Sequence, residues 1–339
     1  MQVYNRISSK AYNTFNIDVK FDKLLQLESK EDIYEAINAY DTDDVSVLGG
    51  GSNILLTGDV SKTIFQILNK GINVIEEEDS YALVAIAAGE NWHDVVLWAI
   101  EHGYGGIENL ALIPGNTGTA PIQNIGAYGV EIKDVLFAVR AFGRKDGIEY
   151  VFHNQECQFE YRNSVFKHKW KDQFIISEVI LKLSKPGHHI INTSYGQINQ
   201  RLIDQGIEQP SIKDVADTVI QIRTEKLPNP SVIGNAGSFF KNPIIPIEQF
   251  EELKCKHEAL PSYLVDEEQV KLPAAWLIDQ CGWKGKRVGD TGTYKNQALV
   301  LVNHGNANGQ DVFTLSEDIL LSVEEKFGVR LEREVNVWF

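Results

Sequence analysis

A serine preceded by a glycine lies in the segment GNAGSFFKNP, residues 234–243. A hydroxyl in so small and glycine-rich a setting is suited to catalysis, and Ser238 is therefore the first candidate. The nucleophile elbow of hydrolases has the pattern G-x-S-x-G, but Phe240 occupies the position of its second glycine. The pattern argues against a hydrolase nucleophile and leaves a proton donor or a turn residue.

The second candidate is the turn formed by Gly49, Gly50, Gly51, Ser52 and Asn53. Glycines tolerate positive φ, so successive N–H groups can turn inward and form an anion-binding nest suited to a pyrophosphate. A Rossmann fingerprint needs G-x-G-x-x-G at the start of a helix, whereas residues 54–56 continue as an apolar β-like run. A Rossmann site is disfavoured, and a phosphate nest and a plain glycine-rich turn both remain open.

The third candidate is the long segment IPGNTGTAPIQNIGAYG, residues 113–129. Its glycines, its two prolines and its lack of charge suggest a backbone packed closely against a flat, uncharged ligand. Gln123 and Asn124 would offer amide hydrogen bonds to that ligand. A buried structural loop is the alternative.

Charged side chains provide the remaining candidates. Arg162 follows a tyrosine, and its fork suits a carboxylate or a phosphate, although a surface arginine usually pairs with an aspartate. Arg223 and Lys226 lie at the end of a predicted helix, where cations are also favoured by the helix dipole alone. Glu334 interrupts the β-rich tail RLEREVNVWF.

Helices and short strands must position these residues. Ser29 is a predicted N-cap of a helix that places Ile33 and Ile37 on one face. Further helices are predicted in ENWHDVVLWAIEHG, SIKDVADTVIQIRTEKLPNP, PAAWLIDQCG and GQDVFTLSEDILLSVEEKFG. Strands are predicted in YALVAIAAG, DVLFAVRAFG, FIISEVILKL and ALVLV. A change of pattern near residues 185–210 predicts a domain boundary.

Length and composition limit the function classes. The chain has 339 residues, of which 43% are hydrophobic and 23% charged, as expected of a globular protein with two or three units. A net charge of −15 disfavours broad binding to nucleic acid, so a bound phosphate must be met by a few local cations and amides.

Cysteine usage and hydropathy indicate the compartment. The three cysteines form no C-x-x-C pair, which predicts neither a disulfide framework nor a metal site and favours a reducing compartment. The chain shows neither an apolar leader at its start nor a run of about 18 apolar residues. We therefore expect a cytoplasmic protein without membrane insertion.

Taken together, the motifs resemble the UDP-N-acetylenolpyruvoylglucosamine reductase (UDP-N-acetylmuramate dehydrogenase, MurB) family, in the subgroup that has a tyrosine loop. That tyrosine is Tyr195 in TSYGQI. The motifs that carry the resemblance are NTFNI (13–17), GGGSN (49–53), ENLALIPGNTGTAPIQNIGAYGVE (108–131), YRNSVFKH (161–168), TEKLPNP (224–230), GNAGSFFKNP (234–243), KLPAAWLIDQCGWKG (271–285), NQALVLVN (296–303) and LEREV (331–335).

The resemblance implies an α+β protein with the FAD-binding fold of the vanillyl-alcohol oxidase and p-cresol methylhydroxylase type, followed by a C-terminal α+β substrate-binding domain. Residues 1–190 would bind FAD in two subdomains, about 1–70 and 71–190. Residues 210–325 would bind substrate, and a tail, 326–339, would carry Glu334 back to the FAD-binding region.

The resemblance also implies the ligands. FAD is expected to be noncovalent, because neither flavin loop contains a histidine, NADPH is the co-substrate, and no metal is expected. The expected cofactor-binding residues are Gly49, Gly50, Gly51, Ser52, Asn53, Thr119, Gln123, Asn124, Gly126, Ala127 and Arg223.

The implied reaction is the NADPH-dependent, FAD-mediated reduction of enolpyruvyl-UDP-N-acetylglucosamine to UDP-N-acetylmuramate in peptidoglycan synthesis. Arg162 and Glu334 would flank the enolpyruvyl carboxylate, and Ser238 would donate the proton. Hydride addition leaves negative charge on the α-carbon and carboxylate, which Arg162 can stabilise as a permanent cation. Glu334 can help only if it keeps a proton, which burial favours. The expected substrate-binding residues are Tyr195, Lys226, Asn242 and Gln297, with Lys226 also near the NADPH phosphate.

The expected partners are the UDP-sugar and NADPH, without nucleic acid, and the expected assembly is a monomer. A flavin oxidase of the same fold, acting on another alcohol or sugar with O₂, is the main alternative function. A catalytically inactive sugar-nucleotide binder is a third, disfavoured by the joint presence of Arg162, Ser238 and Glu334.

Overall fold

Two units, each assembled from separate stretches of sequence, make up this computed structural model, which describes residues 1–339 apart from the side chain of Thr42. Unit 1 comprises Met1–Ile7, Phe21–Gly50 and Ser61–Arg223. Unit 2 comprises Ser8–Lys20, Gly51–Val60 and Thr224–Phe339.

The helices are α1 (Lys30–Ala39), α2 (Trp92–Glu101), α3 (Ile198–Asp204), α4 (Ile212–Lys226), α5 (Ile247–Lys256), α6 (Ala274–Gln280) and α7 (Gly309–Phe327). The strands are β1 (Gln2–Ser8), β2 (Lys20–Leu27), β3 (Val45–Leu48), β4 (Ile54–Leu56), β5 (Val60–Ile67), β6 (Ile72–Glu77), β7 (Tyr81–Ala87), β8 (Gly126–Ala127), β9 (Val130–Glu131), β10 (Leu136–Gly143), β11 (Glu149–His153), β12 (Phe174–Ser184), β13 (Gly234–Ser238), β14 (Ile244–Pro246), β15 (Tyr263–Leu264), β16 (Gln269–Lys271), β17 (Arg287–Val288), β18 (Thr291–Tyr294), β19 (Gln297–Asn303) and β20 (Asn336–Trp338).

Unit 1 contains two larger sheets and one extended apolar core. The strand order is β11-β10-β12-β7-β6 in an antiparallel sheet and β1-β2-β5-β3 in the other, where β3 and β5 are parallel. Helix α2 buries Trp92, Val95, Val96 and Ala99 in the core, as its apolar spacing predicts. The predicted strands β7, β10 and β12 are confirmed.

Helix α4 belongs almost wholly to unit 1. The last change from unit 1 to unit 2 along the chain falls between Arg223 and Thr224, and the domain boundary near residues 185–210 stays a prediction. Val215, Val219 and Ile222 lie on the apolar face of α4 and belong to the core of unit 1. Burial of this face keeps nearly the whole helix with unit 1, since hydrophobic burial dominates packing.

Local capping fixes the helix starts. The Ser29 hydroxyl accepts a hydrogen bond from the Asp32 N–H at 3.0 Å, which confirms Ser29 as the N-cap of α1. Helix α7 begins with a capping box between Asn308 and Asp311 and ends at Gly328, whose φ is 62°.

Unit 2 is built around the antiparallel sheet β13-β19-β18-β17, which α6 and α7 contact. A second small sheet has the order β14-β16-β15. The C-terminal strand β20 pairs in parallel with β4, the strand that follows the GGGSN turn. Among the described residues, the helices lack the combination of length and apolar character that crossing a membrane requires.

Candidate active site

The two predicted cofactor segments meet in unit 1. A Cβ placed on Gly49 would lie 2.6 Å from Cγ2 of Thr119, and one on Gly50 would lie 2.8 Å from Oδ1 of Asn116. The Thr119 hydroxyl donates to the Asn116 carbonyl at 2.7 Å, which holds this part of the loop in a tight turn. The absence of side chains at 49 and 50 is therefore what lets the turn approach the long loop.

The second half of the turn belongs to unit 2. Gly51 has a φ of 65°, and a Cβ there would lie 2.0 Å from the carbonyl oxygen of Tyr12, so only glycine fits. Ser52 next to it is half-buried. The carbonyl of Asn53 accepts from the N–H of Asn336 at 3.1 Å, and its Nδ2 donates to the carbonyl of Glu334 at 3.3 Å. Asn53 therefore joins the turn to the C-terminal tail.

The long loop is fastened to the end of strand β7. The N–H of Thr117 donates to the carbonyl of Glu90 at 2.8 Å, and the N–H of Gly118 donates to the carbonyl of Ala88 at 2.9 Å. A Cβ on Gly118 would lie only 2.5 Å from the Cβ of Ala88. Loop residues 117 and 118 are thus part of the packed core as well as candidates for a ligand-facing turn.

Asn124 has a structural task inside this loop. It is fully buried, and its Nδ2 donates to the Glu131 carboxylate at 2.9 Å and to the carbonyl of Glu160 at 3.0 Å, while its Oδ1 accepts from the Lys133 N–H. Both amide donors are committed within unit 1, so the expected amide donation to a ligand does not come from Asn124. The half-buried Gln123 precedes it.

Arg162 is oriented by the same loop. Its Nη2 donates to the carbonyl of Gly126 at 2.5 Å, and its Nη1 donates to the carbonyl of Asn124 at 3.3 Å. Its guanidinium also lies over the Tyr161 ring, 5.3 Å from the centroid. Gly126 and Ala127 form β8, which pairs with β9 and fixes the position of the Gly126 carbonyl. A permanent cation is thereby held beside the predicted cofactor loop.

Arg223 and Tyr128 form a second polar group in unit 1. The Nε of Arg223 donates to the carbonyl of Leu112 at 3.3 Å, and its guanidinium also interacts with Tyr128. Burial lowers the pKa of Arg223 and raises the pKa of Tyr128. The ring of Tyr195 packs edge-on against Tyr128 with centroids 6.3 Å apart. A half-buried cation with two phenols suits an anionic ligand such as a phosphate.

Tyr128 was absent from the predicted site residues. The segment GAYG contains the only signal for it, an aromatic side chain within the glycine-rich loop. Its placement beside Arg223 results from contacts between residues far apart in sequence, which spacing alone does not encode.

In unit 2, a β-bulge presents Ser238. Strand β13 pairs with β19 through Gly234 and Asn235, but the register shifts before Ser238 pairs with Val300. Gly237 lies in the bulge with a φ of 69°, and its N–H donates to Oδ1 of Asn235 at 3.0 Å. The glycine before the serine thus turns the strand and re-aims Ser238.

The C-terminal tail runs antiparallel to the residues that follow Ser238. The N–H of Glu334 donates to the carbonyl of Phe239 at 2.8 Å, and the N–H of Lys241 donates to the carbonyl of Glu332 at 2.9 Å. Phe240 and Arg333 form the bridge between them. The structure therefore places Glu334 next to the residue that follows Ser238 in unit 2, although Ser238 and Glu334 lie 96 positions apart in the sequence.

Three of the predicted substrate-binding residues, Asn242, Gln297 and Lys226, belong to unit 2. Asn242 is half-buried, and its Oδ1 accepts from the Ala274 N–H at 2.9 Å, which caps the start of α6. Gln297 opens β19 and bonds locally, its Oε1 accepting from the Leu299 N–H at 3.2 Å. Lys226 is exposed at the end of α4.

The glycine contacts provide the test of whether a flat cofactor fits unit 1. At Gly49 and Gly50, side chains would collide with Thr119 and Asn116, so the backbone there is bare and closely approached. Bare backbone at two successive glycines, whose N–H groups can face a ligand, suits a pyrophosphate. The residues present therefore fit a dinucleotide.

Comparison with known proteins places unit 1 in a class. Residues 21–149 match the family model described as FAD binding domain. Solved 6-hydroxy-D-nicotine oxidase from Arthrobacter nicotinovorans shares the fold at a TM-score of 0.53 and 13% identity, covering 97% of this chain and 86% of that chain. A solved p-cresol methylhydroxylase shares the fold at a TM-score of 0.50 and 11% identity, covering 97% of this chain and 84% of that chain. The chain is an FAD-binding protein of this fold, which confirms the predicted fold class and cofactor.

The family follows from the rest of the chain. Residues 229–338 match the model described as UDP-N-acetylenolpyruvoylglucosamine reductase, C-terminal domain. The reductase of Flavobacterium johnsoniae is 48% identical and that of Pseudomonas aeruginosa 43%, covering 99% and 100% of this chain and 100% and 99% of those proteins. The solved MurB of Thermus caldophilus aligns over both full chains with a TM-score of 0.71 and 25% identity. This chain belongs to the UDP-N-acetylenolpyruvoylglucosamine reductase family.

Proposed function

We propose that this chain reduces UDP-N-acetyl-3-O-(1-carboxyvinyl)-glucosamine to UDP-N-acetylmuramate with NADPH, a step of peptidoglycan synthesis. The observation that carries the function is the 48% identity to the Flavobacterium johnsoniae reductase over 99% of this chain and all of that protein. FAD bound at the glycine turn and the long loop would supply the transfer of hydride from NADPH to the enol ether. The protein must then stabilise the resulting charge and deliver one proton.

Ser238 is the proposed proton donor. A hydroxyl is a weak acid, but the carbon that it must protonate is strongly basic after hydride addition, so position matters more than acidity. The bulge at Gly237, which sets the direction of Ser238, supports this assignment because a fixed donor needs a fixed backbone.

Arg162 is proposed to stabilise the negative charge that develops on the substrate. Its guanidinium is held by the carbonyls of Asn124 and Gly126, so it need not reorganise during the reaction. An arginine keeps its charge throughout the working pH range, unlike a histidine at the same place.

Glu334 is proposed to act with Arg162 on the substrate carboxylate, as a hydrogen-bond donor in its protonated form. Its backbone is fixed on both sides, because its N–H donates to Phe239 and its carbonyl accepts from Asn53. A carboxylic acid that is held rigidly can stabilise an enolate without needing to move.

The sugar nucleotide is proposed to contact Tyr195, Lys226, Asn242 and Gln297. Tyr195 is 44% exposed, so its ring is available to a ligand, and its edge-on contact with Tyr128 ties it to the Arg223 cation. Arg223 is proposed to meet a phosphate of the cofactor, and Lys226 a phosphate of either nucleotide. We assign the chain to the subgroup with the tyrosine loop on this basis.

The enzyme is also proposed to work as a monomer in the cytoplasm, where NADPH and UDP-sugars are available. Multi-angle light scattering of the purified holoenzyme would give the mass of one chain, and a doubled mass would contradict the monomer.

Sequential mixing tests the reaction. Anaerobic NADPH should bleach the flavin absorbance of the purified yellow protein, and later addition of the enolpyruvyl nucleotide should restore it with formation of UDP-N-acetylmuramate. Rapid recovery in air, without any response to the nucleotide, would contradict the proposal and favour an oxidase. A colourless protein that takes up no FAD would indicate a sugar-nucleotide binder.

A further inference from the structure

Since the proposed function gives the Glu334 carboxyl group a direct role, whatever fixes that side chain affects the reaction. We propose that Arg333, the residue before it, is a positioning residue that orients Glu334 by anchoring the tail to helix α7.

Three groups on α7 hold the Arg333 side chain. Its Nε donates to Oγ of Ser316 at 2.9 Å, its Nη2 forms an ion pair with the Glu317 carboxylate, and its guanidinium carbon lies 4.6 Å from the centre of the Phe313 ring. These three residues occupy positions i, i+3 and i+4, so they lie on one face of the helix. One side chain is therefore fixed by a hydrogen bond, an ion pair and a cation–π contact.

The helix that provides these contacts is itself immobilised. Ser316 is fully buried, and its hydroxyl donates to the carbonyl of Phe313 at 2.6 Å, which leaves its lone pairs for Arg333. Val312, Ile319 and Val323 of α7 are buried as well. Arg333 thus connects the tail to a rigid part of unit 2.

The backbone pairing of the tail links the direction of the Arg333 side chain to that of the Glu334 side chain. Arg333 faces Phe240 in an antiparallel bridge, and side chains alternate between the two faces of such a strand. Glu332 and Glu334 therefore lie on the face opposite Arg333. The ion pair of Glu332 with Lys241, at 2.9 Å, agrees with this alternation. Fixing Arg333 on one face fixes the direction of Glu334 on the other.

Other interactions of the tail are weaker candidates for this task. Glu332 is 73% exposed, and an ion pair with such a partner contributes little. An open cleft of about 460 Å³ borders the tail, lined by Glu317, Leu320, Arg330, Leu331, Glu332 and Arg333. The tail is therefore incompletely packed where it borders this cleft, and the polar contacts of Arg333 hold it in place there.

The test uses Arg333→Met in the holoenzyme, which keeps the aliphatic stem and removes the guanidinium. We expect NADPH to reduce the flavin within about 2-fold of the wild-type rate, while reoxidation by the enolpyruvyl nucleotide slows about 10- to 100-fold, the scale of a small misplacement. Calorimetric affinity of the oxidised enzyme for UDP-N-acetylmuramate should change by no more than about 3-fold, since the nucleotide contacts remain. Arg333→Lys, which can still pair with Glu317, should recover part of the rate.

A double-mutant cycle separates positioning from a general structural effect. Because Arg333 acts through Glu334, Arg333→Met combined with Glu334→Gln should be no slower than Glu334→Gln alone. Arg330→Met, the same substitution at an exposed position of the same tail, should match wild type. If Arg333→Met does not fold, Glu317→Gln replaces it in the double-mutant cycle, because Glu317 is the ion-pair partner of Arg333 on α7. The rate of flavin reoxidation in Glu317→Gln should fall about 3- to 10-fold.

The outcomes separate this inference from the proposed function. A slow Glu334→Gln with a wild-type rate for Arg333→Met, or rate losses that multiply in the double variant, would overturn the positioning role alone. A Glu334→Gln enzyme that is reoxidised as fast as wild type would overturn the role of Glu334 and the positioning role together.

Discussion

The N–H of Glu334 donates a 2.8 Å hydrogen bond to the carbonyl of Phe239, the residue directly after Ser238. Through this bond, the C-terminal tail and the glycine-rich serine segment share one backbone frame within unit 2. Two groups with different proposed tasks, proton donation and charge stabilisation, are therefore positioned by the same antiparallel pairing. Catalysis that depends on placement more than on acidity requires such a shared frame.

Ser238→Ala should separate the two half-reactions. We expect NADPH to bleach the flavin absorbance at the wild-type rate, because Ser238 has no task in that step. Reoxidation by the enolpyruvyl nucleotide should fall by about 10²- to 10⁴-fold, the range for loss of a positioned proton donor. Stopped-flow absorbance measures both steps.

A matched control for this variant is Ser231→Ala, which removes an exposed hydroxyl that bonds to Asn229 just upstream of the same strand. It should behave as wild type in both steps. Turnover of Ser238→Ala at the wild-type rate would remove Ser238 from the mechanism.

Gly49→Ala should weaken the approach of the two cofactor segments. The new Cβ would lie 2.6 Å from Cγ2 of Thr119, and relief of such overpacking typically costs about 1–3 kcal/mol. We expect a lower melting temperature and a lower ratio of flavin to protein absorbance after purification.

A second substitution tests the cause of that loss. Thr119→Ser removes the clashing methyl group and keeps the hydroxyl that donates to Asn116, so Gly49→Ala with Thr119→Ser should recover both properties. Gly58→Ala is the control, because a Cβ there meets nothing within 4 Å. A double variant no better than Gly49→Ala would show that the two segments do not meet at this point.

The sequence predicts α1, α2, α4, α6 and α7 because their signals are local, whereas α3 and α5 were not predicted. Ser29 as the N-cap of α1 and the apolar face of α2 are confirmed, since capping and 3.6-residue spacing act within a few residues. Strands β1 and β2 were not predicted, because they alternate poorly and depend on partners that lie far along the chain.

The sequence does not reveal the hydrogen bonds that the predicted site residues make within the protein. Asn124 and Asn242 are predicted ligand contacts, and in the structure the first also holds a loop together and the second also caps α6. The pairing of Arg333 with Phe240 and the contact of Tyr128 with Arg223 come from tertiary structure alone. Short polar side chains bond to whatever backbone is nearest, and that backbone is unknown until the chain has folded.

Thiol reactivity should differ sharply among the three cysteines. Cys157 is fully buried, and burial raises the pKa of its thiol to about 12, so it carries almost no thiolate near neutral pH. Burial also raises the pKa of the half-buried Cys281. Cys255 is exposed. A disulfide reagent should modify one thiol per native chain quickly and all three after denaturation.

Cys255→Ser identifies the fast thiol in that experiment. The variant should lose the fast reaction of the native chain and keep the two thiols that react only after denaturation. A fast phase that survived in Cys255→Ser would mean that Cys157 or Cys281 is more accessible than its surroundings in the structure allow.

The imidazole of His93 should make stability depend on pH. Its Nδ1 accepts from the Leu112 N–H at 3.0 Å, which requires the neutral ring, and partial burial lowers its pKa below the usual 6.5. Below pH 6.5 the unfolded chain therefore binds a proton that the folded chain resists. The free energy of unfolding should fall as the pH drops from 6.5 to the lowered pKa, and His93 should add no slope at higher pH.

Replacing His93 by asparagine isolates its share of that slope. The asparagine Oδ1 can take over the place of Nδ1 as acceptor for Leu112 but does not titrate. Melting temperatures measured from about pH 5 to about pH 7.5 should fall less steeply toward acid in His93→Asn than in wild type. Some slope should remain, because burial also lowers the pKa of His304. Equal slopes in the two proteins would mean that His93 is protonated as readily in the folded chain as in the unfolded one.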